Sequence, residues 1–129
     1  MSENMKVLEA WMAASKRGDH EAFLDMMADD LEYYWYMYAK PIRDKPTMRK
    51  FLRNYTAGFD QREWILKNTL ENADMIMVEG VEKLFDRKRE VLIDNLFMQV
   101  IEFKDGKISK VRDYYDAQRV QPPAAEAAA

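Results

Sequence analysis

The segment FKDGKISKVRDYYD, residues 103–116, reads as a β-hairpin. Asp105-Gly106 is the strongest short signal for a two-residue turn, since both residue types tolerate the positive φ such turns need. In KISKVRDYYD, the arm that follows, side chains alternate between two faces. Val111, Asp113 and Tyr115 share one face; Lys110, Arg112 and Tyr114 share the other. Asp113 is therefore a carboxylate on a face that is otherwise apolar or aromatic.

The same period of two runs upstream. REWILKNTLEN (62–72), DMIMVEGVEKLFD (74–86) and EVLIDNLFMQVIEF (90–103) read as three more long strands, with NAD and DRKR as the turns between them. Together with the hairpin arm they form an antiparallel meander. In the second of these strands Ile76, Val78, Gly80, Glu82 and Leu84 share a face. Glu82 interrupts that apolar face, and Gly80 leaves room beside it. Met75, Met77, Val81 and Phe85 give the opposite face enough apolar surface to predict a dimer interface or helix packing there. In the third strand Asn95, Phe97, Gln99 and Ile101 face the same way.

Before residue 60 the period is helical. Ser2 suits an N-cap, and Val7, Leu8, Trp11 and Met12 form the stripe of a first helix. Gly18 suits a left-handed stop, and Asp19 can cap a second helix with Ala22, Phe23, Met26 and Met27 on its apolar side. The run LEYYWYMY (31–38) predicts a strand with Leu31, Tyr33, Trp35 and Met37 on one face and Tyr34, Tyr36 and Tyr38 on the other. Pro46 suits the first turn of a third helix, whose buried side is Met48, Phe51, Leu52 and Tyr55. The predicted fold class is α+β: three N-terminal helices packed in the concave face of a curved, mainly antiparallel sheet. Residues 1–120 are expected to form one domain. The remainder, QPPAAEAAA (121–129), has little to bury and is expected to be a flexible tail.

Composition narrows the function. A net charge of −3 over 129 residues argues against nucleic acid as a partner, which would need a concentrated basic surface. With no cysteine there is neither a disulfide nor a thiolate zinc site, and the single histidine, His20, is a poor basis for any other metal centre. No cofactor motif is present. The N-terminal MSENMKVLEAW lacks a basic segment followed by an apolar one, and no apolar run is long enough for a membrane span. The expected location is the cytoplasm.

If the selected faces enclose one cavity, it holds Glu82, Asp113 and Tyr33. Trp35, Asn95, Phe97 and Tyr115 would line it as substrate contacts, with Met12, Leu84 and Gly80 beside them. Burial raises a carboxyl pKa and a second carboxylate raises one of the two further, which leaves an acid beside a base near neutral pH. Tyr33 or Tyr115 would donate a hydrogen bond to a substrate oxygen. The competing reading is that Glu82 and Asp113 are solvated, or paired across the ladder with Lys or Arg.

Three pieces resemble the nuclear transport factor 2-like superfamily, in particular its SnoaL-like and limonene-1,2-epoxide hydrolase-like branches. They are VLEAWMAASKRGDHEAFLDMMADDLEYY (7–34), PIRDKPTMRKFL (41–52) and FKDGKISKVRDYYD (103–116). The resemblance implies a cone-shaped α+β barrel with a deep apolar pocket, usually in a homodimer. It places Tyr33 on the tyrosine of the epoxide hydrolases' water-holding set, Asp113 on the late aspartate and Glu82 on the aspartate of their Arg-x-Asp pair. Gly80 stands in place of that arginine and Trp35 in place of the asparagine. Without the arginine the two carboxylates are expected to repel, so that one takes up a proton. The expected function is general acid–base chemistry on an apolar small molecule, of isomerase, cyclase, dehydratase or epoxide hydrolase type. The alternative is a non-catalytic module that binds an apolar ligand.

Overall fold

The computed structural model describes residues 1–120, so the predicted tail at 121–129 lies outside the described residues. Among these residues the order is α1 (Glu3–Lys16), α2 (His20–Asp25), β1 (Met27–Tyr34), α3 (Lys45–Gly58), β2 (Phe59–Glu71), β3 (Met75–Asp86), β4 (Val91–Lys104) and β5 (Lys107–Tyr115). None of these helices is long and apolar enough to cross a membrane.

The helix ends follow from local chemistry. Ser2 accepts the Met5 N–H, Asp19 that of Ala22 and Asp44 that of Thr47, so each helix begins on a side-chain cap. Gly18 takes φ +71° between α1 and α2, a conformation that costs glycine little. α2 is shorter than predicted. It ends at Asp25, and Met27 is already the first residue of β1, buried against the core.

The five strands lie in the order β1-β5-β4-β3-β2, antiparallel except for β1 and β5, which run parallel. The curved sheet is open, with β1 and β2 at its edges, so it is a cone rather than a closed barrel. Asp105 and Gly106 have φ 52° and 76° and make the predicted hairpin turn. Register shifts occur twice between β2 and β3, once between β4 and β5 and once between β1 and β5, and such bulges bend a strand and increase its twist. The helices fill the hollow of the bent sheet. Leu8, Trp11, Phe23, Met48, Ile76, Ile101, Ile108 and Val111 form the main core there.

The aromatic run departs from its predicted geometry. β1 begins four residues earlier than Leu31 and ends at Tyr34, because Tyr33 and Ile42 exchange both backbone hydrogen bonds and fold the chain back. Ala39 N–H then donates to the Tyr36 carbonyl and closes a turn. Strand alternation therefore stops at Tyr34. Met37 and Tyr38, 42% and 83% exposed, point to solvent, and Met37 does not share a face with Tyr33.

Candidate active site

The hollow between helices and sheet contains a cavity of about 80 Å³. Three central strands supply its floor through their inward-facing positions. β3 brings Glu82; β4 brings Asn95, Phe97 and Gln99; β5 brings Asp113 and Tyr115. Direct pairing sets the spacing: Glu82 faces Asn95, Tyr115 faces Phe97, and Asp113 faces Gln99. Tyr33 enters from β1 and Trp35 from the turn after it, while Phe51 and Tyr55 close the cavity from α3.

Glu82 is held by neutral donors. Tyr55 Oη donates to its Oε2 at 2.9 Å, Gln61 Nε2 donates to the same oxygen, and Asn95 also hydrogen-bonds the carboxylate. Ser15 Oγ donates to Gln61 Oε1 at 2.9 Å, which orients the amide so that its nitrogen faces Glu82. Burial raises the Glu82 pKa above the ordinary carboxylate range, and these three hydrogen bonds pull in the opposite direction.

Asp113 has less support. Burial pushes its carboxyl well above the usual range, the Glu82 charge adds to this, and hydrogen bonds from Gln99 and Tyr33 oppose it. In Tyr33 burial comes first, followed by the fields of Asp113 and Glu82, and together they hold the phenol protonated as a donor. Tyr55 is raised for the same kinds of reason. Tyr115 is raised too, but its hydroxyl is committed, donating to the Trp35 carbonyl at 2.8 Å. Of the two tyrosines considered for a substrate oxygen, Tyr115 instead anchors the turn that carries Trp35.

Both expected causes of a raised carboxyl pKa, burial and a neighbouring carboxylate, act on Asp113. Glu82 and Asp113 lie on strands that flank β4, so their backbones stand about 10 Å apart across the sheet and four β4 residues out of step. Burial is the first cause of the Asp113 shift and the Glu82 charge only the second. Among the described residues neither carboxylate has an ion pair, which sets aside their expected alternative pairing with Lys or Arg.

The structure brings Tyr33, Trp35, Glu82, Asn95, Phe97, Asp113 and Tyr115 together around the cavity and leaves three predicted contacts out. Leu84 is fully buried beyond its end, packed with Phe59, Ile93 and Val120. Met12 is partly buried against the main core and lines a separate groove with Lys16, Glu63 and Ile65. Gly80 offers no free room. A β-carbon there would sit 2.2 Å from the Ile65 carbonyl oxygen and 2.9 Å from the Phe97 ring. The space an arginine would need is occupied by neighbouring backbone and Phe97.

Beyond Asn95 and Tyr33, sequence reasoning missed the donors that support the carboxylates. Tyr55 was legible only as a member of the apolar side of α3. Gln61 lies just before the predicted start of its strand, and Ser15 on a helix gave no signal. Gln99 shared a predicted face with Asn95 but was not singled out.

With this geometry in hand, comparison with known proteins gives a consistent answer. Residues 8–111 match the model of the SnoaL-like domain. No curated protein matches in sequence. Among solved structures, a nuclear transport factor 2-like protein of unknown function from Burkholderia pseudomallei superposes with a TM-score of 0.83 at 17% identity, covering 94% of this chain and 99% of that one. An epoxide hydrolase of the limonene type from M. tuberculosis gives 0.77 at 20% identity, over 96% and 90% of the two chains. A protein described as a candidate polyketide cyclase from Xanthomonas campestris gives 0.78 at 17%, over 90% and 92%. At these identities the structural likeness speaks for the fold, and the match over residues 8–111 speaks for the family. The chain belongs to the SnoaL-like domain family, with the nuclear transport factor 2-like fold.

Proposed function

We propose that this protein is a small-molecule enzyme that uses the cavity for general acid–base catalysis, most simply an isomerisation, cyclisation or dehydration of an apolar substrate. One observation carries the reading: two carboxyls share an aromatic cavity but are supported unequally. Glu82, with three donors stabilising its charge, is the base. Asp113, pushed further toward its neutral form, is the acid. In such a site Glu82 would remove a proton from carbon next to a substrate carbonyl. Asp113 would deliver its proton to the carbonyl oxygen, where charge develops, and Tyr33 would hold Asp113 in place. Trp35, Phe97 and the α3 rings would exclude water and shape the apolar contacts. Water activation of the epoxide hydrolase kind fits less well, since Gly80 and Trp35 replace the arginine and asparagine and the space for an arginine is filled.

The second reading, a binding module for an apolar ligand, draws on one specific feature. A carboxylate that already accepts three hydrogen bonds is a weakened base. Product analysis by mass spectrometry on a panel of apolar enones and epoxides separates the two. A rearranged product of unchanged mass, reduced about 100-fold or more in a folded Asp113→Asn variant, is the expected result. Turnover that survives this substitution removes Asp113 from the mechanism. Tight binding of such compounds without turnover, insensitive to neutralising either carboxylate, favours the module.

We further propose a homodimer formed across the convex face of the sheet. Val81 pairs with Leu96, Met77 with Val100, and Met98 with Tyr114, making an apolar band interrupted by Glu79 and Arg112. Leu96, Met98, Met77 and Tyr114 are left exposed, and an apolar band of this kind marks an interaction surface.

A further inference from the structure

The polar groups of the cavity have an unmet demand of one kind. Among the described residues lining it there is no lysine, arginine or histidine, while Glu82 and Asp113 both face it. Gln99, only 6% exposed, has a buried Oε1 with no hydrogen-bond partner, so an acceptor beside Asp113 is left without a donor. Much of the remaining surface is aromatic: Trp35, Phe51, Tyr55, Trp64 and Phe97 come from four different elements and line the same space. Two carboxyls, an orphan acceptor and aromatic rings all favour positive charge and N–H donors. A neutral hydrocarbon would leave the Gln99 oxygen buried and unpaired.

We propose that the cavity is a receptor for a compact protonated alkylamine, its N–H donating to Gln99 Oε1 and its alkyl groups lying against the rings. The inference rests on reading this cavity as the functional site, but not on the acid–base step. Its chemistry sets it apart from that step, because a bound ammonium beside Asp113 favours the ionised form, whereas the acid–base step needs the proton on Asp113. The cation therefore expels that proton to solvent, and amines compete with acid–base turnover. The titratable groups facing Asp113 are Tyr33 from β1, Tyr55 from α3, Glu82 from β3 and Tyr115 on its own strand. The tyrosines stay neutral, so the proton released is that of a carboxyl. Binding accordingly strengthens as the pH rises through the elevated range of Asp113, until the amine itself loses its proton.

Isothermal titration of the full chain with N,N-dimethylethanolammonium, against its uncharged isostere isoamyl alcohol, tests this. The cation is expected to bind about tenfold or more tightly than the alcohol. The measured heat should differ between Tris and phosphate buffers, as proton release requires. A folded variant carrying Glu82→Gln and Asp113→Asn should lose the preference. If that variant does not fold, the wild-type comparison alone decides. Equal or tighter binding of the alcohol overturns the proposal, as does binding of neither probe. Both of those results leave the acid–base reading standing, since that is tested by turnover of neutral enones.

Discussion

Glu82 and Asp113 meet the same aromatic cavity with different neighbours, and the difference can be tested one residue at a time. Tyr55→Phe removes a donor to the ionised form of Glu82 and nothing else of similar size. The Glu82 pKa then moves up, so the acid limb of the kcat/KM profile should shift to higher pH while the basic limb stays in place. A profile unmoved by Tyr55→Phe would mean that Glu82 is not the base. Stability carries a second signature. Asp113 has a folded-state pKa raised above its unfolded value, so the stability it contributes is complete below the unfolded carboxylate range. That stability is lost as the pH rises through the raised folded pKa. Glu82 acts in the same direction, while Asp86, lowered by Arg89 and nearby backbone N–H groups despite its burial, acts in the opposite one. Comparing wild type with Asp113→Asn isolates the Asp113 share. Thermal melting across pH should show the variant losing less stability than wild type between acidic and alkaline conditions.

At the scale of elements, the cavity depends on how closely β2, β3 and β4 approach at Gly80. Leu66 and Phe97 flank this glycine in register, and the Ile65 carbonyl and the Phe97 ring occupy the place of a side chain. The nearest obstacle is backbone, which cannot rotate away. Gly80→Ala should therefore destabilise the fold by about 1–3 kcal/mol through overpacking, read as a lower urea midpoint at unchanged m-value. A variant as stable as wild type would show that β2 can move away from β3 at its bulge, reopening the space an arginine would fill. The end of β1 belongs to this scale too. Trp35 reaches the cavity because Tyr33 pairs with Ile42 and Tyr115 anchors the Trp35 carbonyl, not because it continues a strand.

For the whole molecule, the curved sheet divides labour between its two sides. The concave side is filled by helices and carries the candidate chemistry, and the convex side carries the apolar band proposed for a second copy. Replacing Leu96 and Met98 by aspartate places charge in the middle of that band without touching the cavity. Gel filtration with light scattering should find a dimer for wild type and a monomer for this variant. A wild type that is monomeric at micromolar concentration removes the dimer.

What the sequence determined by itself is whatever depends on periodicity and local chemistry. The caps at Ser2 and Asp19, the stop at Gly18, the Asp105-Gly106 turn and the meander are of this kind. So is the parity that put Glu82, Asn95, Phe97 and Asp113 on inward faces, because a strand's alternation is independent of its partners. Only the tertiary structure decided where alternation stops and what lies across a space. Tyr33 ends the useful parity of LEYYWYMY by pairing with Ile42, a residue beyond the turn. Gly80 read as an opening, yet Phe97 and the Ile65 carbonyl fill it from neighbouring strands. Tyr55 and Gln61 come to Glu82 from α3 and β2, and Ser15 comes to Gln61 from α1, across sequence distances that no local pattern spans. Hydrogen bonds and burial are properties of neighbours in space, and the chain sets those neighbours only once the sheet has bent around its helices.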